Sequence, residues 1–227
     1  PLAGAGPEPG QLIQTAYGYG LFTGGLGFHD GAEHMGLTVV PVSSGNTLRQ
    51  ILLLQDFRPH GLACTPSFAL YIGESLREQG GDPAALGLRY GLLGAEPWTE
   101  AMRARLQSLW GCPAVDFYGL SEVIGPGVAS ECVEARDGLH LNEDHFLPEI
   151  VDPASGVPLP FGREGELVLT SLTKEALPVI RYRTGDVTRL DPEPCRCGRT
   201  TVRMACIKGR TDDMLIIKGV NVFASQL

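Results

Sequence analysis

Between residues 37 and 117 the chain repeats one unit: a short apolar run, a turn, then a segment with helical apolar spacing. Leu37-Thr38-Val39-Val40-Pro41-Val42 has the texture of a buried strand, and Thr47–Phe57 that of a helix. Leu62-Ala63-Cys64 is a second short strand. Thr65 then stands as an N-cap with Pro66 at the first helical position, and that helix runs to about Gln79. Leu88–Leu93 is a third strand, entering Gly94-Ala95-Glu96-Pro97-Trp98. Thr99 caps a helix reaching about Trp110, and Val115–Phe117 is the last strand of the set. Strands joined in succession by helices run parallel, with helices over both faces of the sheet. The expected class is therefore α/β. The turns Thr65–Ser67, Gly94–Trp98 and Tyr118–Glu122 all follow strands, so they gather on one edge, where open α/β sheets collect ligands.

On either side of this repeat the texture differs. Residues 11–36 read as a loop entering a helix. The dinucleotide fingerprint fails there, because Gly18 and Gly20 are followed by Thr23 where a third glycine is needed. His29 and His34 stand five apart, not the four of a zinc-binding helix, and read as surface or packing residues. From Gly125 onward short strands alternate with turns: Leu139–Leu141, Pro148–Val151, Gly165–Thr170, Val179–Tyr182, Val187–Leu190 and Thr201–Met204. The expected organisation is an α/β subdomain over 1–124, an antiparallel, barrel-like subdomain over 125–210, and a connector with the start of a further domain over 211–227, including a turn at Gly219. Pro1–Pro7 reads as a loop, and both ends of the chain look cut rather than finished.

Composition narrows the partners. A net charge of −8 without a Lys/Arg cluster argues against nucleic acid and anionic membrane. No apolar run approaches the roughly 20 residues that span a bilayer, and no basic-then-apolar start suggests a signal peptide. Six cysteines in no regular framework point to a reducing cytoplasm.

Several clusters carry chemistry. In Asp116-Phe117-Tyr118-Gly119-Leu120-Ser121-Glu122 an apolar strand runs out into an aromatic, a glycine, a hydroxyl and a carboxylate. An aromatic ring can lie against a purine, Gly119 admits close backbone approach, Ser121 can donate to a phosphate, and Glu122 can hold a hard cation. In Arg181-Tyr182-Arg183-Thr184-Gly185-Asp186 a carboxylate on a glycine turn can accept both hydroxyls of a ribose; a type I turn in which Asp186 caps its own backbone fits equally well. A serine-hydrolase reading is weaker, since Val123 stands where the nucleophile elbow needs glycine. Cys195-Arg196-Cys197-Gly198, with Cys132 and His140 upstream, has the donor set of a tetrahedral Cys₃His zinc site, His145 being the alternative imidazole. The competing reading is an ordinary turn beside a buried Cys132. Cys64, Cys112 and Cys206 read as core residues.

Taken in order, Gly94-Ala95-Glu96-Pro97, Tyr118–Glu122, Tyr182–Asp186 and the run from Gly209-Arg210-Thr211-Asp212-Asp213 to Gly219 resemble the motifs of adenylate-forming enzymes. Ala16–Gly27 and Leu177–Tyr182 are most similar to the phenylacetate–CoA ligase branch, and the likeness covers nearly the whole chain. The resemblance implies activation of an aryl-acetic acid by Mg·ATP to an acyl-adenylate, then transfer to coenzyme A. It implies that Tyr118 stacks on adenine beside Gly94 and Ala95, with Glu96, Asp116, Phe117 and Gly119 in the same nucleotide-binding loops. Glu122 would hold Mg²⁺, Ser121 meet the α-phosphate, and Asp186 hold the ribose with Arg210. Tyr17, Phe22, Ala95 and Pro126 would line the acid pocket, and Asp212 would be the hinge of a mobile C-terminal domain. A homodimer is the assembly the family suggests. The family's glycine-rich phosphate loop and C-terminal catalytic lysine have no counterpart among Lys174, Lys208 and Lys218, so no turnover is expected of this stretch alone. A non-catalytic nucleotide- or acyl-adenylate-binding protein is the competing reading.

Overall fold

A computed structural model describes residues 1–212, 214–217 and 220–223, the last two segments through their backbone. Asp213 of the connector motif and the turn expected at Gly219 lie outside the described residues. The parallel set is β1 (Leu12–Thr15), β2 (Thr38–Pro41), β3 (Gly61–Cys64), β4 (Tyr90–Gly94) and β5 (Ala114–Leu120). Around it lie α1 (Leu2–Ala5), α2 (Thr23–His34), α3 (Thr47–Phe57), α4 (Pro66–Glu78) and α5 (Glu100–Trp110). The antiparallel set follows: β6 (Ile124–Ser130), β7 (Leu139–Leu141), β8 (Phe146–Val151), β9 (Glu164–Ser171), β10 (Tyr182–Asp191), β11 (Arg203–Met204) and β12 (Gly209–Arg210). A hairpin of β13 (Met214–Ile217) and β14 (Val220–Phe223) comes last.

Strand order is β2-β1-β3-β4-β5-β6-β7-β11-β10-β9-β8, with β12 on β10. Pairing is parallel as far as β5 and antiparallel from β6 onward. Alternation along the strands shows the two faces directly. Leu62 and Cys64 of β3, with Leu93 of β4, pack against α3, α4 and α5, whereas Ala63, Leu92, Val115 and Phe117 pack against α1 and α2. A third core joins Val128, Leu141, Phe146, Leu167, Leu169 and Leu190 in the antiparallel half. The helix starts follow local chemistry: Thr65 and Thr99 accept from the backbone N–H of Phe68 and Met102. No helix of the described residues is long and apolar enough to cross a membrane.

Four sequence expectations are corrected. Residues 12–15 are not loop but β1, inside the sheet between β2 and β3. Its buried Gln14 obscures the apolar pattern; the Gln14 side-chain NH₂ donates to Gln50 Oε1 of α3 at 2.7 Å. The strand at 38–41 is an edge rather than a buried strand, half exposed along its length. Leu2–Ala5 form one helical turn where a loop was expected. Strands expected separately at 179–182 and 187–190 are the single β10, starting at Tyr182 and irregular between Arg183 and Val187.

Candidate functional site

All five strands run parallel, but the order of winding reverses at β1: the chain steps out to β2 on one side and returns to β3 on the other, so the loops leaving β1 and β3 diverge and open a crevice. Tyr17, just past β1, spans it: its hydroxyl donates to the Cys64 carbonyl and accepts from Gly94 N–H at 3.2 Å. Its ring stacks on Phe28 at 5.6 Å and meets Phe117 edge-on at 5.9 Å. Above this aromatic floor lies a cleft of about 1340 Å³. Tyr17, Phe22, Ala95 and Pro126 line one part of it, and Tyr118, Gly119, Asp186 and Arg210 another. Glu96, Asp116, Phe117, Ser121, Glu122 and Asp212 also border it. Gly94 is set back, buried against Phe117, where an added Cβ would lie 2.5 Å from the Phe117 carbonyl oxygen.

Two strand irregularities shape the cleft. β5 does not end at Phe117: it continues to Leu120 and turns back into β6, with a register shift between Tyr118 and Leu120. Gly119 sits at that shift, and a Cβ there would press on the Ile124 carbonyl and Pro126 at 3.0 Å. At the hairpin tip the Ser121 hydroxyl meets that of Thr23, at the start of α2, at 3.2 Å, and Glu122 is exposed. The Lys174 ammonium donates to the carbonyls of Glu122 and Val123 at 3.1 and 2.8 Å.

The second irregularity, in β10, carries Asp186. Three strands separate β5 from β10 in the sheet order, yet the Tyr118 hydroxyl donates to Asp186 Oδ2 at 2.6 Å. The sheet therefore curls over to bring them together. Asp186 sits within a bulged strand, not on the strand-end turn expected from sequence. Arg210 of β12 donates to Asp186 Oδ1 at 2.5 Å and to both oxygens of Asp212 at 2.7 Å. Burial raises the Asp186 pKa, opposed by the Tyr118 hydrogen bond and the Arg210 charge.

Behind the floor lies a buried ion pair that sequence reading missed. Arg103 of α5 grips Glu131 with hydrogen bonds of 2.7 and 2.9 Å, and stacks on Trp98 at 4.5 Å. Glu131 also accepts the Asp116 N–H at 2.8 Å. Burial, with the Glu131 charge added, pushes the Asp116 carboxyl up to about 7. The Glu96 carboxylate turns to the start of α4, accepting Ser67 N–H at 2.6 Å. Cys206, expected in the core, is an exposed residue on the cleft wall. Thr23 lies in the Ala16–Gly27 segment but was not singled out there, while Arg103 and Glu131 belong to no motif, and only the folded chain brings all of them to the site.

A second constellation lies beside β7 and β11. The ligand atoms of Cys132, His140, Cys195 and Cys197 all lie within 4.8 Å of one another. Cys132 and Cys195 sulfurs are 3.8 Å apart, and Cys197 Sγ lies 3.5 Å from His140 Nε2. The Thr201 hydroxyl engages His140 Nδ1 at 3.2 Å, leaving Nε2 for the thiols. Burial and the nearby charges of Arg199 and Arg203 lower the His140 pKa, keeping the ring neutral at pH 7. Burial pushes the Cys197 thiol up, but hydrogen bonds from Arg199 and the neighbouring cysteines outweigh it and bring it down to about 7. His145 is not part of the cluster: it is exposed and bonds Thr173 at 2.7 Å.

Comparison with known proteins agrees with this geometry. The family of AMP-binding enzymes matches residues 29–173. A phenylacetate–coenzyme A ligase of Thermus thermophilus is 60% identical over 226 residues, covering 100% of this chain and 51% of that protein. The Escherichia coli phenylacetate–coenzyme A ligase is 57% identical over 227 residues, again covering 100% of this chain and 51% of the relative. The chain thus spans about half the length of the curated relatives it matches. Among solved structures, 2-hydroxyisobutyryl-CoA ligase in complex with 2-HIB-AMP and CoA, in its thioesterification state, superposes with a TM-score of 0.95 at 29% identity. That match covers 99% of this chain and 48% of the other.

Proposed function

Because the chain belongs to the AMP-binding enzyme family, we propose that it supplies the nucleotide and acid sites of an AMP-forming acid–CoA ligase of the phenylacetate type. The observation that carries this reading is the Tyr118–Asp186–Arg210 chain of hydrogen bonds, closing one cleft from strands far apart in sequence. Tyr118 offers its ring to adenine beside Ala95 and Gly119. Asp186, held by Arg210, accepts the ribose hydroxyls. Ser121, backed by Thr23, donates to the α-phosphate, and Glu122 is the carboxylate that would hold Mg²⁺, which when bound offsets charge on the departing pyrophosphate. The aromatic floor of Tyr17 and Phe22, with Ala95 and Pro126, suits a flat apolar acid whose carboxylate faces the nucleotide. In the first step a carboxylate oxygen of the acid bonds to the α-phosphorus and pyrophosphate leaves. In the second, the coenzyme A sulfur bonds to the acyl carbon, AMP leaves, and the thiol proton passes to solvent. The protein's part is positioning and electrostatic stabilisation. Asp212, tied to Arg210, is the hinge in this reading, with 1–124, 125–210 and 211–227 as the parts that move or hold.

We also assign Zn²⁺ to the Cys132, His140, Cys195 and Cys197 cluster. Tetrahedral zinc with Zn–S of about 2.3 Å and Zn–N of about 2.0–2.1 Å has S···S edges of about 3.8 Å and S···N edges of about 3.6 Å. The sulfur pair at 3.8 Å and the sulfur–imidazole pair at 3.5 Å suit it. With four protein ligands the site is closed, hence structural rather than catalytic, and the unpaired thiols suit a reducing cytoplasm.

The test is calorimetric titration of the chain with AMP, followed by a thermal-shift series of aryl acids with AMP present. AMP binding that Asp186→Asn and Tyr118→Ala weaken, and a larger shift with phenylacetate than with aliphatic acids, support the reading. No AMP binding refutes it; binding without aryl preference confines it to the nucleotide.

A further inference from the structure

Glu166 of β9 touches no expected ligand and belongs to none of the motifs, yet it is a buried carboxylate, 2% exposed, under the cleft. One of its oxygens accepts Gly185 N–H at 3.1 Å. The other accepts from the Arg183 guanidinium, through Nε at 2.9 Å and through Nη2. Gly185 and Arg183 flank Thr184 at the register shift of β10, where the regular ladder to β9 is interrupted between Arg183 and Val187. A bulge leaves backbone groups without ladder partners, and inside a protein those groups need another acceptor. Glu166 supplies it from the neighbouring strand. Thr184 completes the frame: its hydroxyl donates to the Leu167 carbonyl at 2.9 Å and accepts Asp186 N–H at 3.1 Å.

The far side of the same glycine faces the connector. The Gly185 carbonyl accepts Thr211 N–H at 2.7 Å, and Thr211 precedes Asp212. Gly185 therefore has its N–H fixed by Glu166 and its C=O fixed to the connector, with Asp186 next in line.

We propose that Glu166, steadied by Arg183, is a positioning residue that aims the Asp186 carboxylate at the nucleotide's ribose. A neutral acceptor of the same shape does not replace it. Two hydrogen bonds from a guanidinium lock a carboxylate, whereas a Gln amide must either turn its NH₂ toward Arg183 or withdraw its oxygen from Gly185. The inference rests on the ribose role proposed for Asp186, and the experiment separates the two.

The measurement is calorimetric binding of AMP and of 2′,3′-dideoxy-AMP to the wild-type chain and to Glu166→Gln. A wild type that prefers AMP and a variant whose preference shrinks about tenfold, through loss of AMP affinity alone, is the expected result. A residue that only stabilised the fold would lower the melting temperature and leave the preference untouched, and that outcome overturns the proposal. If wild type itself makes no distinction, the ribose assignment of Asp186 falls and this inference falls with it. If Glu166→Gln does not fold, Arg183→Gln, altered at the exposed end of the pair, is read the same way: a shrunken preference supports the proposal and an unchanged one overturns it.

Discussion

Replacing Asp116 by asparagine isolates the electrostatic cost of one carboxyl at the base of the cleft. Asp116 is 9% exposed, and its pKa is raised to about 7 from an ordinary 3.8 by burial and then by the Glu131 charge. A carboxyl with a raised folded-state pKa binds more protons folded than unfolded between those two values. Its contribution therefore weakens the fold progressively as pH rises from about 4 to about 7, and then levels off. Three pKa units correspond to about 4 kcal/mol at pH 8, and roughly 2–3 kcal/mol of that accrues between pH 5 and pH 8. Asparagine keeps the shape without the charge, so Asp116→Asn is expected to gain stability relative to wild type as pH rises, by about that amount over the interval. The assay is urea unfolding of both proteins at pH 5, 6, 7 and 8, in which the other carboxyls cancel in the difference. A difference that stays flat with pH would show that Asp116 ionises as easily folded as unfolded, and a variant that loses ground toward pH 8 that it ionises more easily folded; either way the reasoning would fail.

Three further outcomes are expected. Cys132→Ser should abolish stoichiometric zinc by elemental analysis and lower the melting temperature, and a chelator should lower it in wild type but not in the variant. Arg103→Met leaves Glu131, 1% exposed, without its counter-charge, and should cost about 3–5 kcal/mol in denaturant unfolding; a loss under 1 kcal/mol would show the carboxylate finding water. Gly185 has φ of 77°, and a Cβ there would lie 2.6 Å from Arg210 Nη2. Gly185→Ala should therefore cost about 1–3 kcal/mol and weaken AMP binding, whereas wild-type affinity would sink the link between that turn and the nucleotide.

The helices and most of the parallel strands were legible because their signals are local. Thr65-Pro66 and Thr99 are caps that act within one turn, and α3 spans the Thr47–Phe57 its apolar spacing suggests. β1 was not legible, because Gln11, Gln14 and Thr15 are buried polar groups whose fitness depends on partners such as Gln50, 36 residues away. β6 escaped for another reason: Gly125-Pro126-Gly127 interrupts the alternation of apolar residues, yet the strand pairs with β5 on both sides of that interruption, through Ile124 and through Ala129 and Ser130. The thiols of the Cys₃His cluster were visible as donors, but their meeting depends on β7 pairing with β11, which no spacing encodes. Arg103 and Glu131 have ordinary sequence surroundings, and only burial turns them into a locked pair.

What the sequence motifs marked, and what strand periodicity missed, are the same places. A regular ladder satisfies its own backbone and alternates its side chains, so it offers a ligand little. Tyr118-Gly119-Leu120 and Arg183-Thr184-Gly185-Asp186 break the ladder, one on β5 and one on β10. Each break turns side chains out of alternation and toward the cleft, where Tyr118 and Asp186 meet. Each also needs outside support: Ile124, Pro126 and Gly127 crowd Gly119, while Glu166, Thr184 and Thr211 hold the backbone around Gly185. It follows that restoring regularity is as damaging as deleting a contact. Removing Thr184 and Gly185 together would let β10 resume its register with β9 and tidy the sheet, yet, although Asp186 would stay opposite Arg210, it would lose the Thr184 contact and the Glu166- and Thr211-held glycine that set its carboxylate toward Tyr118. Such a deletion should leave a folded chain by circular dichroism that no longer binds AMP; retained binding would mean that the nucleotide is held elsewhere than between these two breaks.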